Sequence, residues 1–293
     1  MIVLVANPSS GGGKGGRILP RAIASLGTLG RAHRVVVSED ADHPERAARQ
    51  AVDAGADVVL ALGGDGLVSA CANALIGTGI PLAIVPTGTG NDIARRLGLD
   101  LRHPLRSIGL LERGSRRSVD SVLAEGPGWA RHYVCVAGAG FDSETNAVAN
   151  TMRRLRGTAK YVAALLRTLR TFRPAEFRVV TDDGDLRLGA MMVAVANAAS
   201  YGGGMMVAPD AAMDDGLLDV CVVGAMTRRS FLAAFPSVYR GTHVTHRDVT
   251  MLRSRKVGLE ASRPLDVYAD GERFGPLPVT FTVQPATLEV IAP

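Results

Sequence analysis

Two glycine turns, Gly63-Gly64-Asp65-Gly66 and Gly88-Thr89-Gly90-Asn91-Asp92, each stand where an apolar run of strand character gives way to a helical pattern. Glycine at such a junction lets the backbone turn with positive φ and lets N–H groups close on an anion. The helix start that follows adds partial positive charge. Two turns of this kind, each carrying a carboxylate and set one strand apart, point to a sheet whose strand ends hold a phosphate. A third Gly-rich turn, Asn7-Pro8-Ser9-Ser10-Gly11-Gly12-Gly13-Lys14-Gly15-Gly16, follows the first strand.

Up to about residue 110, the strand-like runs 2–6, 34–38, 57–62 and 81–85 alternate with helical patterns. Such alternation builds a parallel sheet with helices on both faces, and ligands of these sheets collect at the carboxyl ends of the strands. Past Ser115 the strands become consecutive, around 116–124, 131–137, 176–181, 187–196, 217–223, 255–260, 264–269 and 279–283, with turns such as Asp182-Asp183-Gly184 between them. Helical insertions at 141–172 and 228–239 interrupt them. The expectation is an α/β nucleotide-binding domain over 1–121 and a β-rich, sandwich-like domain over 122–293, with the active site in the cleft between them.

A chain of 293 residues, 47% hydrophobic and 21% charged, is globular and long enough for two cores. It opens on a strand without a basic leader, and no run reaches the roughly 18 apolar residues of a spanning helix. The expected location is cytoplasmic, peripheral to a membrane. Cys71, Cys135 and Cys221 are too scattered for a disulfide framework or a zinc site and read as small core residues. His243 and His246 lack a third ligand and read as a solvated loop.

The formal charge of +5 comes mainly from arginine, with clusters at Arg153-Arg154-Leu155-Arg156 and at Arg167, Arg170 and Arg173. Between Thr158 and Phe172, apolar Ala159, Val162, Ala163, Leu165, Leu166 and Leu169 alternate with Lys160, Arg167 and Arg170, the pattern of an amphipathic basic helix. Packing against the β-rich domain and contact with a lipid surface both account for it. Aromatic residues are only 4% of the chain and are not interleaved with the arginines, which argues against nucleic acid as a partner.

Gly11-x-Gly13-x-x-Gly16 meets the dinucleotide pattern, with Glu39 placed as a ribose-binding acid, but Lys14 precedes Gly15 and so this is no Walker A loop. A flexible turn and a phosphate-contacting loop both remain open there. Asp65, held between glycines, suits magnesium or a nucleotide, and Asn91 or Asp92 can cap the helix at 93–97. Asp214-Asp215-Gly216 suits a hard cation or a solvated turn, and Asp270-Gly271-Glu272 taken alone reads as an exposed β-turn.

Taken in order, Asn7-Pro8-Ser9-Ser10-Gly11, Gly63-Gly64-Asp65-Gly66, Pro86-Thr87-Gly88-Thr89-Gly90-Asn91-Asp92, Gly138-Ala139-Gly140-Phe141-Asp142, Asn197, Tyr201-Gly202-Gly203-Gly204, Pro209, Asp214-Asp215-Gly216-Leu217-Leu218-Asp219-Val220 and Asp270-Gly271-Glu272 form a set that spans nearly the whole chain. The set resembles the diacylglycerol kinase catalytic-domain family, which includes bacterial diacylglycerol kinases and the sphingosine and ceramide kinases. The resemblance implies ATP contacts at Asn7, Pro8, Ser9, Ser10, Gly11, Ser38, Gly64, Asp65, Gly66, Leu67, Val68, Ser69, Ala70 and Thr89, with Asn91 and Asp92 in the same site. It implies Glu272 as proton acceptor with Asp270 beside it, and Asp65 as a further catalytic carboxylate. A structural Mg2+ is implied at the carbonyls of Ala212 and Leu217 and the carboxylate of Asp215, with Asp120 joined to it through water.

The implied reaction is ATP-dependent phosphorylation of a hydroxyl of diacylglycerol or a related lipid at an anionic membrane surface, by a chain compatible with a homodimer. Leu67 stands where the family usually has Thr, and Ala70 replaces its usual Glu. An NAD kinase-like soluble kinase and a non-catalytic nucleotide- or lipid-binding protein are the competing readings.

Overall fold

The computed structural model describes residues 1–38, 40, 42–152 and 157–293, with the backbone alone between 157 and 162. Glu39 and the cluster at 153–156 lie outside the described residues. In chain order the first elements are β1 (Ile2–Ala6), α1 (Ser10–Thr28), β2 (His33–Val37), α2 (His43–Asp53), β3 (Val58–Gly63), α3 (Asp65–Leu75), β4 (Leu82–Pro86), α4 (Asp92–Arg96) and α5 (Leu110–Arg113). There follow β5 (Ser115–Gly126), β6 (Trp129–Tyr133), β7 (Val136–Gly140), α6 (Phe141–Thr151), α7 (Gly157–Thr171), β8 (Ala175–Thr181), β9 (Gly184–Ala196), β10 (Leu218–Gly224) and α8 (Arg228–Ala234). The chain ends with β11 (Val249–Ser254), β12 (Lys256–Ala261), β13 (Asp266–Ala269), β14 (Glu272–Pro276) and β15 (Val279–Ala292).

The chain divides into two compact units, Met1–Ser121 with Pro285–Pro293, and Val122–Gln284. The second domain expected over 122–293 therefore ends early, and the last nine residues belong to the first unit. The cause is the tail of β15, where Val290 pairs in parallel with Leu82 of β4 and Ile291 enters the first unit's core.

In the first unit the strands run β15-β4-β3-β1-β2, and every pairing is parallel. A strand covered on both faces reads as a continuous apolar run, as β1 (IVLVA) and β3 (VVLALG) do, and both are wholly buried. Their neighbour relation carries β1 and β3 side by side, so the turns that leave both strands end at one edge of the sheet.

The second unit is antiparallel, in the order β14-β13-β7-β9-β8-β12-β15, with β10 on β9 and β11 on β10, and with β5 on β15 and β6 on β5. Tyr133, Phe177 and Phe281 are its largest fully buried side chains, and the Tyr133 hydroxyl donates to the Val195 carbonyl at 3.0 Å. The run expected at 131–137 is two strands, β6 and β7. Two further strands, β11 and β14, were not legible as such. In Glu272–Pro276, Gly275 and Pro276 read as turn residues, and pairing with β13 gives the segment its strand character.

Candidate functional site

In the first unit the three Gly-rich turns pack on one another. Gly11, Gly12 and Gly13 have φ of 56°, 66° and 90°, so the regular helix α1 begins only after them. A Cβ on Gly11 would collide with the Thr87 carbonyl oxygen, and one on Gly88 would collide with the Gly64 Cα. Only glycine permits both approaches. Ser10 Oγ and Thr87 Oγ1, 2.6 Å apart, close the first turn onto the third. Asn7 shapes the first turn by accepting the Ser9 N–H at its Oδ1, 2.9 Å away.

Asp65 ties the second turn to the third. Its Oδ2 accepts the Asn91 N–H at 2.7 Å and its Oδ1 accepts the Asp92 N–H at 2.6 Å. Asn91 occupies the N-cap position of α4 in the left-handed region, φ 54°, and its own side chain does not cap; the amide instead brackets Gly88. The cap expected from Asn91 or Asp92 is thus supplied from α3, by a carboxylate that gains from the partial charge of the α4 start.

The side chains of Leu67, Val68 and Ser69 are buried, and Leu67 lies against Gly63. What these three offer a nucleotide is their backbone; the accessible positions of this turn are Gly64, Asp65, Gly66 and Ala70. Leu67 thus puts core packing where the family's threonine has a hydroxyl. Thr89 is exposed at the tip of the third turn, Ser9 is exposed and Pro8 partly exposed in the first, and Asp92 is buried. Ser38, past the end of β2, donates its N–H to the Ala6 carbonyl at 2.7 Å and its hydroxyl to the Asp40 carbonyl at 3.0 Å. Asp120 is also in this unit, buried, and accepts the Ala286 N–H at 2.8 Å.

The second unit separates the two acids of Asp270-Gly271-Glu272. Asp270 and Gly271 form the tight turn between β13 and β14 with φ of 49° and 89°, as an Asp-Gly hairpin requires. Asp270 accepts three backbone N–H groups, from Val134 at 2.9 Å, Cys135 at 3.1 Å and Val136 at 3.2 Å. Its carboxylate is committed to the backbone entering β7. Glu272 is exposed, and its Oε2 accepts from the Arg131 guanidinium at 2.9 Å. Arg131 is itself placed by the Arg273 carbonyl at 2.9 Å and by the Phe274 ring, 4.4 Å away.

At the acidic turn, Asp215 Oδ1 accepts the Leu217 N–H at 3.0 Å, and Oδ2 is hydrogen-bonded to Arg253. Arg253 stands opposite Asp219 in the β10–β11 register and its Nε lies 3.4 Å from Asp219 Oδ1. Burial lifts the Asp219 carboxyl above the usual range, opposed by Arg253 and reinforced by Asp215 and Asp210. Its buried Oδ2 accepts no hydrogen bond among the described residues. An orphaned carboxylate oxygen among several acids fits a hard cation with oxygen ligands, and Ala212 and Leu217 are half-buried. No group of three or more His, Cys, Asp or Glu side chains is gathered for a metal among the described residues.

The second unit also holds an apolar cavity with about 710 Å³ of empty space, part of it open to solvent. Phe141, Met192, Val223, Phe231, Phe235 and Val238 are in its wall, and Asp142, Tyr201 and His243 are polar points. His243 was expected in a solvated loop, but the helical turn Thr242–Thr245 buries it, and its Nε2–H donates to the Val207 carbonyl at 3.1 Å. Burial lowers its pKa and keeps the ring neutral. Cys71 and Cys221 are buried thiols pushed up to about 12 by desolvation, inert as expected of core residues.

Asp142 was not singled out for a role by sequence. Burial raises its carboxyl to about 6, and a hydrogen bond from Tyr201 works against the shift. The signal was an acid directly after Phe141, at the start of a helix that a glycine strand enters. From an ordinary value of 3.8 up to about 6, the folded chain keeps a proton that the unfolded chain releases. The group's contribution to stability therefore falls as pH rises through that window, and the cost is complete above it, about 3 kcal/mol. Asp142→Asn is expected to raise the melting temperature at pH 8 and to leave it nearly unchanged at pH 4. Equal melting at pH 8 would overturn the assignment.

The sequence profile described as the diacylglycerol kinase catalytic domain matches residues 1–124, and the profile described as the YegS C-terminal NAD kinase beta sandwich-like domain matches residues 135–292. A diacylglycerol kinase of Mycobacterium tuberculosis is 36% identical over 294 residues, covering 100% of this chain and 95% of that protein. A putative diacylglycerol kinase from Bacillus anthracis superposes with a TM-score of 0.82 at 22% identity, over 100% of this chain and 95% of the other. An NAD kinase from Archaeoglobus fulgidus, in complex with ATP, superposes with a TM-score of 0.55 at 13% identity, over 100% and 93%. An α/β unit with three glycine turns at its strand ends, joined to an antiparallel β-rich unit, is the fold of a kinase class. This chain belongs to the diacylglycerol kinase catalytic-domain family.

Proposed function

We propose that this chain is an ATP- and magnesium-dependent lipid kinase, phosphorylating the free hydroxyl of diacylglycerol or a related lipid to give a phosphatidic-acid-type product. The observation that carries the reading is the presence of a glycine cradle in one unit and an apolar cavity in the other. A soluble dinucleotide acceptor has no use for a wall of phenylalanine, methionine and valine. In the reaction the substrate oxygen bonds to the γ-phosphorus, the bond from that phosphorus to the β-phosphate oxygen breaks, and ADP leaves. The hydroxyl proton passes to Glu272.

The first unit's turns hold the triphosphate through backbone N–H groups, with Asp65 keeping the second and third turns in register. Ala212 and Leu217, through carbonyls, and Asp215, through its carboxylate, would hold a structural Mg2+. When bound, the ion supplies positive charge that Arg253 supplies here. The cavity accepts the hydrocarbon part of the lipid, and the protein meets its substrate at an anionic membrane surface. Among the described residues no helix is long and apolar enough to cross a membrane.

The test is phosphate transfer from labelled Mg-ATP to a panel of diacylglycerol, ceramide, sphingosine and NAD, with and without chelator. Transfer to a lipid, lost on chelation, is the expected result. Transfer to NAD alone would replace this reading with that of a soluble kinase, and transfer to nothing would leave a binding protein.

A further inference from the structure

The segment that begins with α8 has two faces of different chemistry. Phe231, Ala234, Phe235 and Val238, spaced as one helical stripe, line the apolar cavity. Leu232, Pro236 and Tyr239, spaced as the opposite stripe, are exposed. Leu232 and Tyr239 are among the few large hydrophobic side chains that the structure leaves in solvent, 42% and 50% exposed. An edge-to-face contact links the two faces, Phe235 on Tyr239 at 6.2 Å between centroids. A thin wall, apolar on both sides, separates the cavity from solvent here.

The charges on this wall are of one sign. Arg228, Arg229 and Arg240 are exposed, and between Asp219 and Asp248 the chain has no Asp or Glu. Two arginines in the first turn of α8 oppose the helix's own partial charge, so they do not serve the helix. The cap is provided separately, by Thr227, which accepts the Ser230 N–H at 3.1 Å. Exposed aliphatic and aromatic groups flanked by cations are the composition of a surface that lies in the headgroup region of an anionic bilayer.

We propose that Leu232, Tyr239, Arg228, Arg229 and Arg240 form a docking face for an anionic lipid bilayer, and that the wall they belong to is the door through which lipid enters the cavity behind it. The door rests on the lipid-kinase reading; the docking face does not. This face is distinct from that of the basic helix α7, where Ala164, Thr168 and Leu169 are buried while Leu166, Arg167 and Arg170 are exposed.

The test is sedimentation of the full-length chain with vesicles of phosphatidylglycerol and phosphatidylcholine in equal parts, beside vesicles of phosphatidylcholine alone. Binding to the anionic vesicles only is expected. Replacing Arg228, Arg229 and Arg240 together by Ser should weaken it about a hundredfold, at about fivefold per charge. Leu232→Ser with Tyr239→Ser should weaken it about tenfold or more, with unchanged melting temperature. In Tyr239→Trp, anionic vesicles should shift the added fluorescence to shorter wavelength. Wild-type binding by both multiple variants, or no shift for the added Trp, would overturn the docking face. Anion-dependent, Leu232- and Tyr239-dependent binding without transfer to any lipid would keep the docking face and remove the kinase reading with its door.

Discussion

Replacing Glu272 by Gln is expected to lower turnover by about 10²- to 10⁴-fold, the usual worth of a general base. The substitution keeps the size of the side chain and an oxygen that can accept from Arg131, so only basicity is removed. Glu272 is half exposed at the first position of β14, and its ion pair with Arg131 is a surface one, worth about 0–1 kcal/mol. Melting temperature and KM for ATP should therefore hold while kcat falls. Steady-state kinetics with the lipid acceptor identified by the transfer assay checks this; near-normal kcat would place the proton acceptor elsewhere.

Asp270→Ala, two residues away, is expected to act through folding. Three backbone N–H groups lose their acceptor at once, and each such group left without a partner costs about 1–3 kcal/mol. The total, roughly 3–9 kcal/mol, is a large part of the 5–15 kcal/mol that holds a typical domain together. Urea denaturation should show it as a lowered midpoint. Asp270→Asn should fall between, because an amide has one acceptor oxygen and tolerates the positive φ of this turn. A loss below about 1 kcal/mol for the Ala variant would return Asp270 to the catalytic role that its neighbour suggests. The pair shows how one short motif divides: one carboxylate builds the turn and the other is presented by it.

The same division runs through the first unit. Asp65 was legible as a carboxylate in a glycine-rich turn, yet its two oxygens are used to join that turn to the next. A residue's neighbours in the chain identify its chemical type, and hydrogen-bond partners from another turn decide its work. Leu67 is the converse case, a departure from the family pattern whose side chain simply enters the core against Gly63.

The sequence by itself determined the order of the parallel and antiparallel halves, because periodicity and the glycine at each strand end are local properties of the chain. It determined the first unit's three glycine-rich turns and the acids that accompany them for the same reason. It did not determine that Pro285–Pro293 returns to the first unit, since strand pairing between Val290 and Leu82 is a contact across more than two hundred residues. Nor did it determine the cavity, whose wall is gathered from α6, β9, β10 and the segment after α8, or the burial that sets Asp142 apart from the other carboxylates. Empty volume and desolvation belong to the packed structure, and no window of residues carries them.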